Sequence, residues 1–377
     1  MRKFWLLCAA LFSPHMAMAR PPDAPFTPVP DVPDYVATVF VKPYRGPPLQ
    51  EMHTHHGGWT RVDHRFDQNA YHSTTYFGPG PLFVTFARES PPRVGGHDQL
   101  HILRGPAMAH LIRWSDHPFK TGEAQTWLGE SCDVWNLPSK RLIGRDAKRL
   151  SCVTPDGIEL WSRVENHISP TTSLETTAIN RLPVKPDDVR PHRDQLDLKS
   201  WLTEPRETAR PSNAPGDVTV VMRSVLAPST DRHIQTRTVR RHYPWTYTED
   251  VDGKGGRRLR FVNEVERLDI AFEHNAAGEP IRLSIQKALR DYVRQKPPDS
   301  GRTETILGEQ CQVTERQSRH GRSSQCRTAD GLALMDSERG WPDHDLVAVT
   351  LDRSPVDLDT VLPPPALFAR AAWGIPD

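Results

Sequence analysis

The sequence has no apolar run long enough to cross a membrane. Its best candidate, residues 4–12, is far shorter than the roughly 20 residues a spanning helix needs. It has no excess of either charge: 48 Lys and Arg stand against 47 Asp and Glu, a formal net charge of +1. No basic field is therefore available to hold nucleic acid. The G-x-S-x-G elbow, the H-E-x-x-H helix and the phosphate-binding P-loop are all missing. There are only five cysteines, and none stands in C-x-x-C spacing, which argues against a redox pair or a zinc knuckle.

What is present begins with a leader. Arg2 and Lys3 precede the apolar stretch, and Ala17-Met18-Ala19 is a small-x-small cleavage site, so residues 1–19 read as a signal peptide. The expected location is the periplasm. Cys8 leaves with the leader. The four remaining cysteines, in an oxidising compartment, argue for disulfides, with three pairings open to them. The 36 prolines cluster. Residues 20–34 form a Pro-rich, extended arm, and residues 203–216 have the polar, Pro/Ser/Gly composition of a linker.

The strongest signal is an internal repeat. The stretch TWLGESCDV from Thr126 returns as TILGEQCQV from Thr305, and SCVTPDGIEL from Ser151 as QCRTADGLAL from Gln325. Downstream, R-x-P-V-x4-V-x-P begins at Arg181 and again at Arg353. Upstream, H-x-x-W-T joins His56 and Trp59, and again His242 and Trp245. The expectation is two tandem modules, 35–202 and 217–377. Self-sufficient modules select the pairings Cys132–Cys152 and Cys311–Cys326.

Each module reads as mostly β. Short alternating or β-branched runs at 35–41, 73–77, 82–86, 174–179, 218–225, 258–262, 268–272, 281–285 and 346–351 are separated by turn residues. Asp156-Gly157 and Asp330-Gly331 suit hairpin turns. Apolar spacing predicts helices over 192–202, 364–373 and 285–293. The expected fold is α+β: in each module a curved antiparallel sheet or incomplete barrel, closed by a short C-terminal helix.

Two features carry a resemblance. One is a G-x-x-C strand, Gly129 to Cys132 and Gly308 to Cys311, followed by a strand with an Asp-Gly turn. The other is a His-flanked Trp near a short turn. In these the chain resembles exported members of the LolA/LolB-like superfamily of periplasmic carrier domains. The resemblance implies an unclosed barrel with helices over its mouth, and a concave apolar surface for an acyl chain or another lipid-like ligand.

Candidate chemistry centres on His53, His55, His56 and His64. His53 and His55 fall on one face of a strand, a spacing that can chelate Zn²⁺. His53 and His55 align with Val239 and Arg241 in the second copy, and only His56 meets a matching histidine, His242. His56, Trp59, His242 and Trp245 recur and are therefore expected to serve the fold or line a ligand. Glu130/Glu309 and Asp156/Asp330 are the clearest acidic residues shared by both copies, and both pairs sit in the repeated motif. The sequence thus supports a non-catalytic exported carrier of an apolar ligand, or a protein docking envelope partners. The alternatives are a metal-assisted hydrolase using His53, His55 and His56, and an interaction scaffold.

Overall fold

The computed structural model describes residues 32–42, 48–65, 71–79, 82–89, 97–105, 119–139, 147–165, 173–202, 210–212, 214–225, 233–288, 299–318, 321–338 and 344–376. The leader, most of the Pro-rich arm and most of the linker lie outside the described residues.

Twenty-two strands form one antiparallel sheet that does not close into a barrel. The first run is β1 (Tyr35–Lys42), β2 (Leu49–His56), β3 (Trp59–Arg65), β4 (Tyr71–Gly78), β5 (Leu82–Glu89), β6 (His97–Arg104), β7 (Phe119–Trp127), β8 (Glu130–Ser139), β9 (Ala147–Val153), β10 (Glu159–Glu165) and β11 (Ser173–Asn180). The second run is β12 (Val218–Ser224), β13 (Ile234–His242), β14 (Trp245–Asp252), β15 (Arg257–Asn263), β16 (Leu268–His274), β17 (Pro280–Ala288), β18 (Asp299–Ile306), β19 (Glu309–Ser318), β20 (Gly321–Arg327), β21 (Ala333–Glu338) and β22 (His344–Asp352).

In the first run β1 lies between β2 and β11, so the order along the sheet is β6 back to β1, then β11 back to β7. The second run repeats that order, with β12 between β13 and β22. The two runs meet where β6 pairs with β17. At that joint His101 faces Ser284, Leu100 faces Ile285 and Ile102 faces Leu283. Counting strands outward from it in either direction gives the same sequence of neighbours.

Cross-strand partners share a face of a sheet. The registers from β1 to β6 and from β17 to β12 place one row of residues on one face: Ala37, His53, Val62, Thr75, Thr85 and His101, then Ser284, Ala271, Arg260, Thr248, Val239 and Val220. The apolar surface changes side along this row. At its ends Ala37 and Val220 are buried, in separate clusters with the disulfides Cys132–Cys152 and Cys311–Cys326. In the first cluster Ala37 and Val39 of β1 pack with Val134 of β8, four strands away along the sheet, so the first run curls over this face.

In the middle the apolar side chains point the other way. Trp59, Tyr76, Leu100, Ile102, Leu283, Ile285, Phe272 and Trp245 belong to one cluster spanning the joint. The segments that follow β11 and β22 cover it. They bring Leu196 and Trp201, and Phe368 and Trp373, into the same cluster. Burying side chains of this size contributes about 1.5–3 kcal/mol each. At the joint the contacts cross between runs: Arg104 Nη1 donates to Ala372 O at 3.3 Å, and Lys287 Nζ donates to Trp201 O at 2.7 Å.

The covering segments are shorter turns than the helices expected. Over 192–202 there is one four-residue helix, α1 (Arg193–Leu196), then a 3₁₀ turn, Leu198–Ser200. Asp197 separates them with extended backbone (ψ 119°), and its carboxylate accepts from Lys199 N. Over 364–373 there are two 3₁₀ turns, Pro365–Phe368 and Arg370–Trp373, split by extended Ala369. Apolar spacing identified which side chains turn inward, but these breaks set the backbone. The helix expected over 285–293 is corrected as well. Ile285 belongs to β17, where Leu283 and Ile285 alternate inward and pack across the joint, and the residues after Ala288 lie outside the described ones.

Candidate functional site

The polar residues that recur in both runs meet in two ties. Asp34 accepts from His56 Nδ1 at 3.0 Å and from Val184 N at 2.8 Å. Asp217 accepts from His242 Nδ1 at 2.9 Å and from Val356 N at 3.0 Å. The His of H-x-x-W-T and the Val of R-x-P-V are thus joined through one carboxylate ahead of the first strand of each run. The Val184 amide and His56 hold the Asp34 carboxyl below its usual range. Burial would raise Asp217, but the Val356 amide and His242 bring it down.

The second tie gathers Arg181, Glu130 and Asp156. Arg181 donates Nε to Glu130 Oε1 at 2.9 Å and Nη1 to Asp156 Oδ2 at 2.7 Å. Arg353 repeats it with Glu309 at 3.0 Å and Asp330 at 3.2 Å. Both aspartates also accept from the threonine two residues earlier, Thr154 or Thr328. Each shared acidic residue therefore anchors a turn. Gly157 and Gly331, at φ 90° and 81°, complete those turns in a conformation that glycine tolerates best. Trp59 and Trp245 are both buried in the central cluster.

The four histidines do not converge. His53 Nε2 donates to Glu51 Oε2 at 2.9 Å, and His64 Nδ1 donates to Glu51 Oε1 at 2.9 Å. Burial would raise the Glu51 carboxyl, but these two hydrogen bonds hold it at about 2. His55 is 3% exposed, stacks on Tyr35 with ring centroids 5.2 Å apart, and pairs Nδ1 with Thr60 Oγ1 at 3.0 Å. His56 faces the other side of the strand, toward Asp34. Among the described residues no group of three His, Cys, Asp or Glu side chains stands in metal-holding geometry.

Sequence reading missed a close Ser–His contact. Ser224 Oγ lies 2.6 Å from His233 Nε2, the distance of a nucleophile and its base. His233 is only 2% exposed, and its Nδ1 meets no carboxylate among the described residues. A base needs an orienting partner and a path for substrate. Among the described residues this pair has no orienting partner, and it ties the end of β12 to the start of β13.

Sequence reading also missed the charged face of the second run. Arg237, Asp250, Arg258, Glu273 and Arg282 stand in register across five adjacent strands, with alternating sign. Arg237 binds Asp250 (Nε–Oδ1 2.6 Å) and Asp336. Arg260 holds Asp269 by two bonds, at 3.0 and 2.6 Å. Next to the joint this face opens into a depression of about 280 Å³. Its floor is short, Ala271 and Ser284. Its walls are Arg258, Glu273 and Arg282 on one side and Asp269 and Gln286 on the other, with Arg260 and His101 at the ends. Burial, and then Arg282, push the His101 imidazole below its ordinary value, toward the neutral form. The walls are polar, unlike the concave apolar surface that the carrier resemblance implies.

No protein-family model matches this chain. No curated protein sequence matches it either. Among solved structures it is similar to MucB in complex with MucA(peri), at 13% identity and a TM-score of 0.24, covering 68% of this chain and 88% of that one. It is similar to MucB alone at 12% identity and 0.26, covering 85% and 89%. A structure of PNGF-II matches at 9% identity and 0.23, covering 69% and 64%. Scores of this size assign the chain neither the fold nor the function of these proteins.

Proposed function

We propose that this chain is an exported, non-catalytic binding protein built from two copies of one module, residues 35–202 and 217–377. It follows a signal peptide (1–19) and a Pro-rich arm (20–34), its two modules are joined by the linker 203–216, and it works in the periplasm. Its LolA/LolB-like character and a common origin for the modules belong to this proposal. The matching strand order of the two runs and the paired Asp34/Asp217 and Arg181/Arg353 ties support it.

One observation carries the binding reading. The polar residues common to both runs are engaged in structural ties, so what distinguishes the runs is where function resides. One such difference is the charged face of β13–β17. It holds fixed donors and acceptors beside an open depression, and it has the character of a binding surface. An envelope partner or polar ligand suits it better than a lipid, because the central apolar cluster is covered by the chain's own segments after β11 and β22.

Native mass spectrometry of protein released gently from its own compartment tests this. A polar or protein-sized added mass that high salt removes supports the reading. An added mass that organic solvent removes would restore the lipid carrier. A metal mass lost on His53→Ala with His55→Ala would move a metal-assisted hydrolase to first place.

A further inference from the structure

The two runs provide an internal control for the depression. At the same register positions counted from the joint, the first run has Ser73 for Arg258, Thr75 for Arg260, Phe83 for Asp269, Ala87 for Glu273 and Gln99 for Arg282. All five charges of the depression are matched by neutral residues in strands that pair in the same order. Strand pairing therefore does not require the charges, and a role outside the fold accounts for them better.

Their pairing is uneven. Arg260 and Asp269 satisfy each other through two bonds. Arg258 and Arg282 are left to share Glu273. They lie two strands apart, roughly 10 Å between backbones. Yet both reach toward the same oxygen, Glu273 Oε1, at 4.0 and 3.5 Å. Neither distance is that of a strong charge-assisted hydrogen bond, which falls at about 2.7–2.9 Å. Both arginine side chains are about half exposed, at 53% and 46%. The ring of side chains sets three guanidiniums against two carboxylates, and one strand outward Asp250 faces Arg258 while binding Arg237 together with Asp336. The short floor of Ala271 and Ser284 leaves room beside these two forks, and Gln286 and His101 supply further hydrogen-bonding groups.

We infer that this depression binds a single oxyanion, a carboxylate or phosphate group, between Arg258 and Arg282. The planar fork of arginine matches two oxygens of such a group. Soluble metabolites and lipid headgroups both carry this chemistry. The inference rests on the binding-protein reading and gives that surface its ligand class.

The test is calorimetric titration of the full mature chain with inorganic phosphate and, separately, with acetate. A second arm measures sedimentation with phosphatidylcholine vesicles that do or do not contain phosphatidic acid. Two variants take the residues the first run already uses, Arg258→Ser and Arg282→Gln, so the sheet should tolerate them. Saturable binding in either arm is expected, weakened by roughly tenfold in each variant with an unchanged melting temperature, the loss of one charge-assisted contact. Soluble anions alone would identify a free ligand, and phosphatidic acid vesicles alone a lipid headgroup. Absence of binding in both arms, or variants that bind like the parent, overturns the inference. If native mass spectrometry still finds a salt-sensitive partner, the binding-protein reading stands without it.

Discussion

His55 and Arg241 occupy the same register position in the two runs. Each is paired with the threonine that follows the H-x-x-W tryptophan, His55 with Thr60 and Arg241 with Thr246. Arg241 donates to Gly216 O at 3.0 Å and to both the backbone and the carboxylate of Asp330. His55 lies buried on Tyr35, and burial lowers its pKa against the opposing pull of Asp34 and Asp156. One run thus has a buried histidine, its pKa lowered, where the other has an arginine.

That difference sets the pH response. The native state favours neutral His55, so the unfolded chain takes up more protons below its ordinary pKa of 6.5. The contribution is whole above 6.5 and is lost as pH falls toward the lower folded value. Glu51 acts the same way at lower pH: its stabilisation is present above 4.5 and is lost as pH falls toward about 2. The melting temperature of the whole chain should therefore drop as pH is lowered from about 7.5 to 5, and His55→Gln should flatten that drop. Melts followed by circular dichroism decide it. Parallel slopes for parent and variant would remove His55 as the cause.

The disulfides close loops of similar size, with sequence separations of 20 and 15. The chain-entropy argument assigns each about 3 kcal/mol, with a difference of only a few tenths between them. Replacing Cys132 and Cys152 by Ala should lower the denaturation midpoint about as much as replacing Cys311 and Cys326. A large asymmetry would mean that one bridge acts by packing, since both lie in apolar clusters.

Asp34 and Asp217 offer a sharper test of the ties. Asp217→Ala leaves the Val356 amide and His242 without their shared acceptor, which should cost about 2 kcal/mol. Asp34→Ala should cost about the same. Asn in either place keeps an oxygen for the amide and should recover part of the loss. Urea denaturation of the four variants measures this. If Ala and Asn behave alike, the backbone hydrogen bond is not what holds the segment.

The sequence is most legible where a residue type has few physical uses: the repeated cysteines form the disulfides Cys132–Cys152 and Cys311–Cys326. It is less so where two faces are both polar. Strand β13, IQTRTVRRH, and strand β15, RRLRFVN, carry arginines on both faces, Arg240 and Arg257 on the face of Tyr247 and Phe261 and Arg237, Arg258 and Arg260 on the other, so their alternation is blurred. Residues 281–285 read as a strand, while Ile285, Leu289 and Val293 also fit a helical spacing. Only the register with Leu100 and Ile102 across the joint decides for a strand. The β6–β17 pairing, which positions the charged depression, joins segments far apart in the chain. No local pattern encodes it.

The two leucines of T-x-L-G-E give the last prediction. Leu128 and Leu307 sit at φ 53° and 52°, each followed by a glycine at φ 82° or 81°. They are the first residues of two-residue turns between β7 and β8 and between β18 and β19, which pair Trp127 with Glu130 and Ile306 with Glu309. A left-handed conformation suits Asn or Gly at such a turn and disfavours leucine by about 1 kcal/mol. Each leucine is half exposed, at 50% and 49%, so half of its surface gains nothing from burial. Leu128→Asn and Leu307→Asn should therefore each raise stability, by about 1 kcal/mol at most. Destabilisation by either substitution in urea melts would show that the buried half of the leucine outweighs the backbone term. The recurrence of leucine in both turns would then follow from packing of the hairpin end against the body of its own run.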